Sequence, residues 1–194
     1  MKKILFLIIL LAFTFSTIAQ PLFDLGIKAG INNSQLTPNV NEFSAENIIG
    51  YHAGVFARVG MERIYLQPEV YFSSKGGNLM EIKNADPVAM FGYTSVDAPL
   101  LLGAKVFRVS KFNFRVMGGP VFGFITSKNV DGDSRFSVGN LRDRCFGWQY
   151  GMGVDFWFLT LDARIENSSS NVYQSPLMDS RNKALLVSLG FKFL

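Results

Sequence analysis

The chain has 194 residues, with 19 Lys and Arg against 15 Asp and Glu and a formal charge of +4. Lys2 and Lys3 account for half of that excess; the remainder carries about +2 with no basic block, which argues against a nucleic-acid partner. A single cysteine, Cys145, excludes an internal disulfide framework, and a single histidine, His52, leaves no transition-metal cluster of credible spacing.

Met1 to Ala19 joins two lysines to an apolar run from Ile4 to Phe13 and a small-residue site at Thr17-Ile18-Ala19. It reads as a removable secretory signal over residues 1–19, with the mature domain spanning 20–194. No cysteine stands near that junction to carry a lipid. Beyond it no apolar run approaches the roughly 18 to 20 residues of a spanning helix, so any membrane crossing must use strands.

In chain order, two-residue periodicity predicts strands at Leu22 to Asn32, Ile48 to Gly60, Ile64 to Lys75 and Tyr93 to Phe107. Four more follow at Phe112 to Ile125, Phe146 to Trp157, Thr160 to Glu166 and Ala184 to Leu194. The joins alternate long and short: 33–47, then 61–63, 76–92, 108–111, 126–145, 158–159 and 167–183. A membrane barrel has this rhythm, because turns on the side of assembly stay short while loops on the far side grow. The sequence therefore predicts an all-β fold, an eight-stranded antiparallel up-and-down transmembrane β-barrel with a side-chain-filled lumen, in the outer membrane.

The first strand sets Phe23, Leu25, Ile27, Ala29 and Ile31 against Asp24, Gly26, Lys28, Gly30 and Asn32. Later strands keep one apolar face and one face mixing charge with glycine. A soluble lipocalin-like barrel would turn the apolar face inward around a ligand. Three features favour lipid outside. Glycines crowd the polar face, as a narrow interior needs. Aromatics recur at strand ends, at Phe107, Phe112, Phe156, Trp157, Phe191 and Phe193. The segment Phe191-Lys192-Phe193-Leu194 resembles the terminal strand that barrel-assembly machinery recognises during insertion, although Leu194 stands where an aromatic is usual.

Pairing Val59 with Ile64 sets Arg58 opposite Tyr65, Gly54 opposite Glu69 and His52 opposite Tyr71. Pairing Phe156 with Leu161 sets Asp155 opposite Asp162, two carboxylates that require a cation, with Arg164 or Lys192 as the candidates. Pro68 and Pro99 each remove a ladder donor, so a bulge or break is expected near both. The inward set is Asp24, Glu69, Asp97, Asp155, Asp162 and Glu166 against Lys28, Arg58, Lys105, Arg115, Arg164 and Lys192. Balanced charge in a low-dielectric space reads as an interlocked structural network rather than an open pore.

Several motifs resemble successive strands of the PorT-like outer-membrane β-barrel proteins. They are Gly26-Ile-Lys-Ala-Gly-Ile-Asn32, Gly50-Tyr-His-Ala-Gly-Val-Phe-Ala57, Tyr65-Leu-Gln-Pro-Glu-Val-Tyr71 with Ser73-Ser-Lys-Gly76, Val96-Asp-Ala-Pro-Leu-Leu-Leu102 and Gly118-Gly-Pro-Val-Phe-Gly123. The resemblance covers most of the mature chain and implies the barrel fold. Its namesake is linked to a secretion and gliding system, a role that does not transfer on fold alone.

Chemistry is sparse. His52 reads as a lumen hydrogen-bonding group, not a general base. Asp131-Gly-Asp133 lacks the further oxygens of a calcium loop and reads as a surface turn. The pairs Gly118-Gly119 and Gly76-Gly77 are followed by no phosphate-binding Lys and helix. No enzyme constellation, cofactor or metal site is expected. Binding is expected on the long loops, where Arg135, Arg142 and Arg144 are candidates for meeting lipopolysaccharide or a protein partner, alongside ordinary loop solubility. A surface-lipid-modifying enzyme and a soluble ligand-binding barrel are the alternatives. Cys145, placed in the third long loop, reads as an incidental thiol.

Overall fold

A computed structural model of the chain describes residues 22–38, 43–61, 63–81, 86–132, 142–174 and 179–193. The proposed signal segment and Arg135 lie outside these residues. Alternation of β-formers with glycine and polar residues produces nine strands: β1 (Leu22–Pro38), β2 (Phe43–Gly60), β3 (Ile64–Glu81), β4 (Asp86–Val109), β5 (Phe112–Gly132), β6 (Arg144–Phe156), β7 (Leu159–Ser168), β8 (Tyr173–Gln174) and β9 (Asp179–Lys192). All pairings are antiparallel, in the order β1-β2-β3-β4-β5-β6-β7-β9, and β1 pairs back onto β9 to close the cylinder. The two-residue β8 lies only against the start of β9, so eight staves form the wall.

The short joins are tight reversals. Met61 N–H donates to the Ile64 carbonyl at 2.8 Å, closing the β2–β3 reversal. Val109 pairs with Phe112 around Ser110 and Lys111, and Phe156 with Leu159 around Trp157 and Phe158. Ser110 and Trp157 adopt left-handed φ values of 49° and 55° to make these two-residue turns.

Both expected hairpin registers move by two residues, in opposite senses: the β2–β3 reversal is two residues wider than expected and the β6–β7 turn two residues tighter. Val59 stands opposite Leu66, not Ile64; Glu69 faces Phe56, Tyr71 faces Gly54 and His52 faces Ser73. In the other hairpin Asp155 faces Thr160 and Asp162 faces Gly153, so the expected confrontation of two carboxylates across the ladder does not occur. A shift of two preserves every residue's face, because side chains alternate with period two.

The expected disruption at the prolines is also absent. Pro68 pairs with Leu100 and Pro99 with Val121 within unbroken strands, and register slips instead between Asn47 and His52, Leu79 and Met80, Thr94 and Ser95, and Lys105 and Phe107. Each proline costs one donor, and the ladder skips two pairs beside each, between Leu66 and Glu69 on β3 and between Pro99 and Leu102 on β4, without a change of register.

The outer surface carries the apolar face. Ile27, Val55, Val70, Leu102, Val116, Met152, Leu161 and Leu189 are all exposed, one from each stave. At one end this band stops at a polar collar with one residue per stave: Asn33, Asn47, Ser74, Thr94, Thr126, Arg144, Asn167 and Lys183. Two positions below each collar residue, or above it in β2 and the other descending staves, an apolar side chain points out, as Ile31, Ile49, Phe72 and Leu185 do. On β3 the band runs from Ile64 to Phe72, matching the roughly 9 to 11 residues of a tilted membrane strand. The aromatics Phe107, Phe112, Phe156, Trp157, Phe191 and Phe193 are exposed at the opposite, tight-turn end.

Strands run past the collar on the long-loop side. β4 continues to Asp86 and β5 to Gly132, so much of what the sequence suggested as loop is paired sheet. Asp131 and Gly132 belong to β5 rather than to a surface turn, and Asp133 lies outside the described residues.

Candidate functional site

The interior is polar and closely filled by side chains. Inward positions of the staves bring together three levels of charge along the barrel axis, each built from strands distant in sequence. Nearest the tight turns, Arg58 donates to Asp24 at 3.1 Å and to Asp155 at 3.0 Å. Arg115 donates through Nε to Asp155 at 3.0 Å and through Nη2 to Asp162 and Thr160. Arg115 is thus the cation between the two carboxylates, the role that sequence reasoning gave to Arg164 or Lys192. Lys192 stands 3.9 Å from Asp24 and 4.0 Å from Asp155 at the mouth.

In the middle, Glu69 accepts from Lys28 and, at 2.9 Å, from Arg164. Gln67 bridges the lower two levels, accepting from Arg58 Nε at 2.9 Å while donating to Glu69. Towards the collar, Lys75 donates to Asp97 at 2.8 Å and Glu166 at 2.5 Å, and Gln149 donates to Glu166 and to the Tyr71 hydroxyl. His52 shares a hydrogen with Ser188 at 2.7 Å, while its ring leans on Tyr71 at 5.6 Å. Its hydrogen-bond partner is therefore Ser188, which no hairpin register brings to it.

Glycine makes the room. A Cβ on Gly103 would lie 2.2 Å from the Tyr65 ring, and one on Gly153 would lie 2.8 Å from the Arg115 guanidinium. The Arg58 guanidinium then sits 4.9 Å above the Tyr65 ring. A charge in such an interior survives only when paired, and removing one partner typically costs about 3–5 kcal/mol.

Lys105 keeps the inward parity, paired with Arg115 at the β4 bulge, but stands half-buried at the tight-turn rim, facing the charges of Asp24 and Asp155 without an ion pair to a described residue. Lys75 was missing from the inward set, although it has the strand parity of Glu69, Tyr71 and Ser73; its place at the predicted strand end hid it.

The loop candidates divide. Arg142 is exposed just before β6, its N–H donating to the Val172 carbonyl at 2.9 Å. Arg144 and Cys145 lie inside β6, not in a loop. Arg144 points outward at the collar with its guanidinium 6.0 Å from the Phe124 ring, whereas Cys145 points inward against Gly123. Among the described residues no cluster of three or more His, Cys, Asp or Glu is arranged to hold a metal ion.

Fold and interior together define a small eight-stave membrane barrel closed around its own side chains. The chain belongs to the outer membrane protein beta-barrel domain family, whose model matches residues 18–173, and it is a protein of the outer membrane. No curated protein sequence matches it significantly. Among solved structures it is similar to the outer membrane protein OprG from Pseudomonas aeruginosa, at 10% identity and a TM-score of 0.56, over 90% of this chain and 98% of that one. Neisserial surface protein A matches at 12% identity and a TM-score of 0.50, over 87% and 97%. Ail of Yersinia pestis, solved with the heparin analogue sucrose octasulfate, matches at 12% identity and a TM-score of 0.47, over 88% and 99%.

Proposed function

We propose that this protein is a non-enzymatic barrel without an open pore, whose rigid sheet carries an interaction surface beyond the outer face of the membrane. The carrying observation is the interior network from Asp24 to Glu166, three groups of ion pairs joined by the hydrogen bonds of Gln67 and Gln149. It occupies the axis with buried side chains.

The reading against catalysis rests on His52. It is 1% exposed and bonded to Ser188 inside the wall, away from the lipid surface where an acyl-chain substrate would lie. Outside, β3, β4 and β5 extend beyond the collar as paired sheet, on the side of a barrel where binding surfaces generally reside. Arg142 and Arg144, with Lys128 and Lys183 nearby along the same end, suit the phosphates of lipopolysaccharide or an acidic protein surface.

Planar-bilayer recording of the folded monomer tests the closed lumen. Only rare, small openings are expected, and a steady large conductance would overturn the reading.

A further inference from the structure

The tight-turn rim carries a second feature that the interior ladder does not use. Arg63, Lys105, Val106, Phe107, Arg108 and Val109 line a recess of about 390 Å³. It exists because the β4–β5 ladder slips between Lys105 and Phe107, leaving Val106 as an extra residue that splays the end of β4. Lys105 N–H donates to the Arg63 carbonyl at 2.8 Å and ties the β2–β3 turn to this bulge.

The lining alternates in kind. Val106, Phe107 and Val109 are exposed apolar side chains at the edge of the lipid band, while Arg63 and Arg108 are exposed cations and Lys105 a half-buried one. Further round the same rim the Lys111 ammonium lies 4.7 Å from the Trp157 ring. The carboxylates of this end, Asp24, Asp155 and Asp162, are buried and engaged by Arg58 and Arg115. Among the described residues the rim exposes cations and no acid; Glu62, next to Arg63 in the β2–β3 turn, lies outside them.

We infer that this recess binds the phosphate of an anionic phospholipid in the periplasmic leaflet, with Arg63 and Lys105 holding the phosphodiester and Phe107 and Val109 meeting the acyl chains. Short turns mark the periplasmic side of such barrels, which sets the recess at headgroup depth. Guanidinium and ammonium donors suit phosphate oxygens. The inference needs only the membrane-embedded barrel, so a conducting lumen would leave it standing.

The test uses the folded full chain in dodecyl maltoside micelles with added phosphatidylglycerol, observed by native mass spectrometry. One lipid is expected to stay bound, the R63Q/K105Q variant to weaken retention about tenfold or more, and R181Q at the opposite end, where Arg181 is exposed beside Asn171, to leave it unchanged. Folding of each variant is checked by heat-modifiable gel migration; R63Q alone, at an exposed turn, serves if the double variant does not fold. Equal retention by the folded variant overturns the site. Equal retention of phosphatidylethanolamine overturns the charge selection, and displacement by inorganic phosphate alone overturns the lipid as its occupant.

Discussion

Arg164 and Glu69 meet across the barrel interior at 2.9 Å although 95 residues separate them, and neither side chain exposes any surface. Glu69 also takes the Lys28 ammonium, so a single carboxylate answers two buried cations.

Replacing that carboxylate is therefore costly. Glu69→Gln keeps the shape but strands Lys28 and Arg164, and a loss of about 3–5 kcal/mol is expected. Urea titration of the folded gel band reads this as a lower midpoint. Neutralising Lys28 in the same chain, as Lys28→Met with Glu69→Gln, should recover part of the loss, and no recovery would show that the two do not share a site.

Gly103 is the floor on which Tyr65 rests. Gly103→Ala places a methyl carbon where the ring now lies, with an expected cost of about 1–3 kcal/mol. Trimming the ring with Tyr65→Leu should reduce the penalty of Gly103→Ala, a coupling that a double-mutant cycle measures. Strict additivity would contradict the contact.

The lipid band makes a depth-dependent prediction. Leu189→Arg, in the middle of the β9 outer face, should destabilise the folded barrel by about 2–4 kcal/mol, whereas Asn33→Arg at the collar should cost about 0–1 kcal/mol. Equal costs in the same bilayer would displace the band from its assigned position.

Beyond the collar, Lys128 donates to Asp143 at 2.6 Å and holds its carboxyl below the ordinary carboxylate range. A depressed value means that the contact is present at neutral pH and lost as acid protonates Asp143, below the usual range for aspartate. Carbon-detected titration should show this lowered value, and Lys128→Gln should return it towards about 3.9. An unchanged titration in the variant would remove Lys128 as the cause.

The faces of the strands were legible from the chain because burial in an antiparallel wall follows strict alternation. Lys28, Arg58, Arg115 and Arg164 could be placed inside on parity alone. Register was not legible to the same degree: the turn closed by Trp157 at positive φ uses fewer residues than its composition suggests, while the β2–β3 reversal uses more. Partners across the lumen were hidden for another reason. The Arg115–Asp162 and His52–Ser188 contacts each skip a strand, and pairwise alignment of neighbouring strands carries no information about them. Strand ends on the outer side were underestimated because alternation breaks at the bulge between Asn47 and His52, where Glu46 and Asn47 are both exposed.

The paired extension of β3 and β4 above Ser74 and Thr94 has a practical consequence for protein engineering. Because it lies outside the greasy belt, its height is a free variable. Adding two residues to each arm lengthens the stalk while every side chain keeps its side of the wall, so a foreign epitope grafted at its tip could be raised in steps of about 7 Å without disturbing insertion.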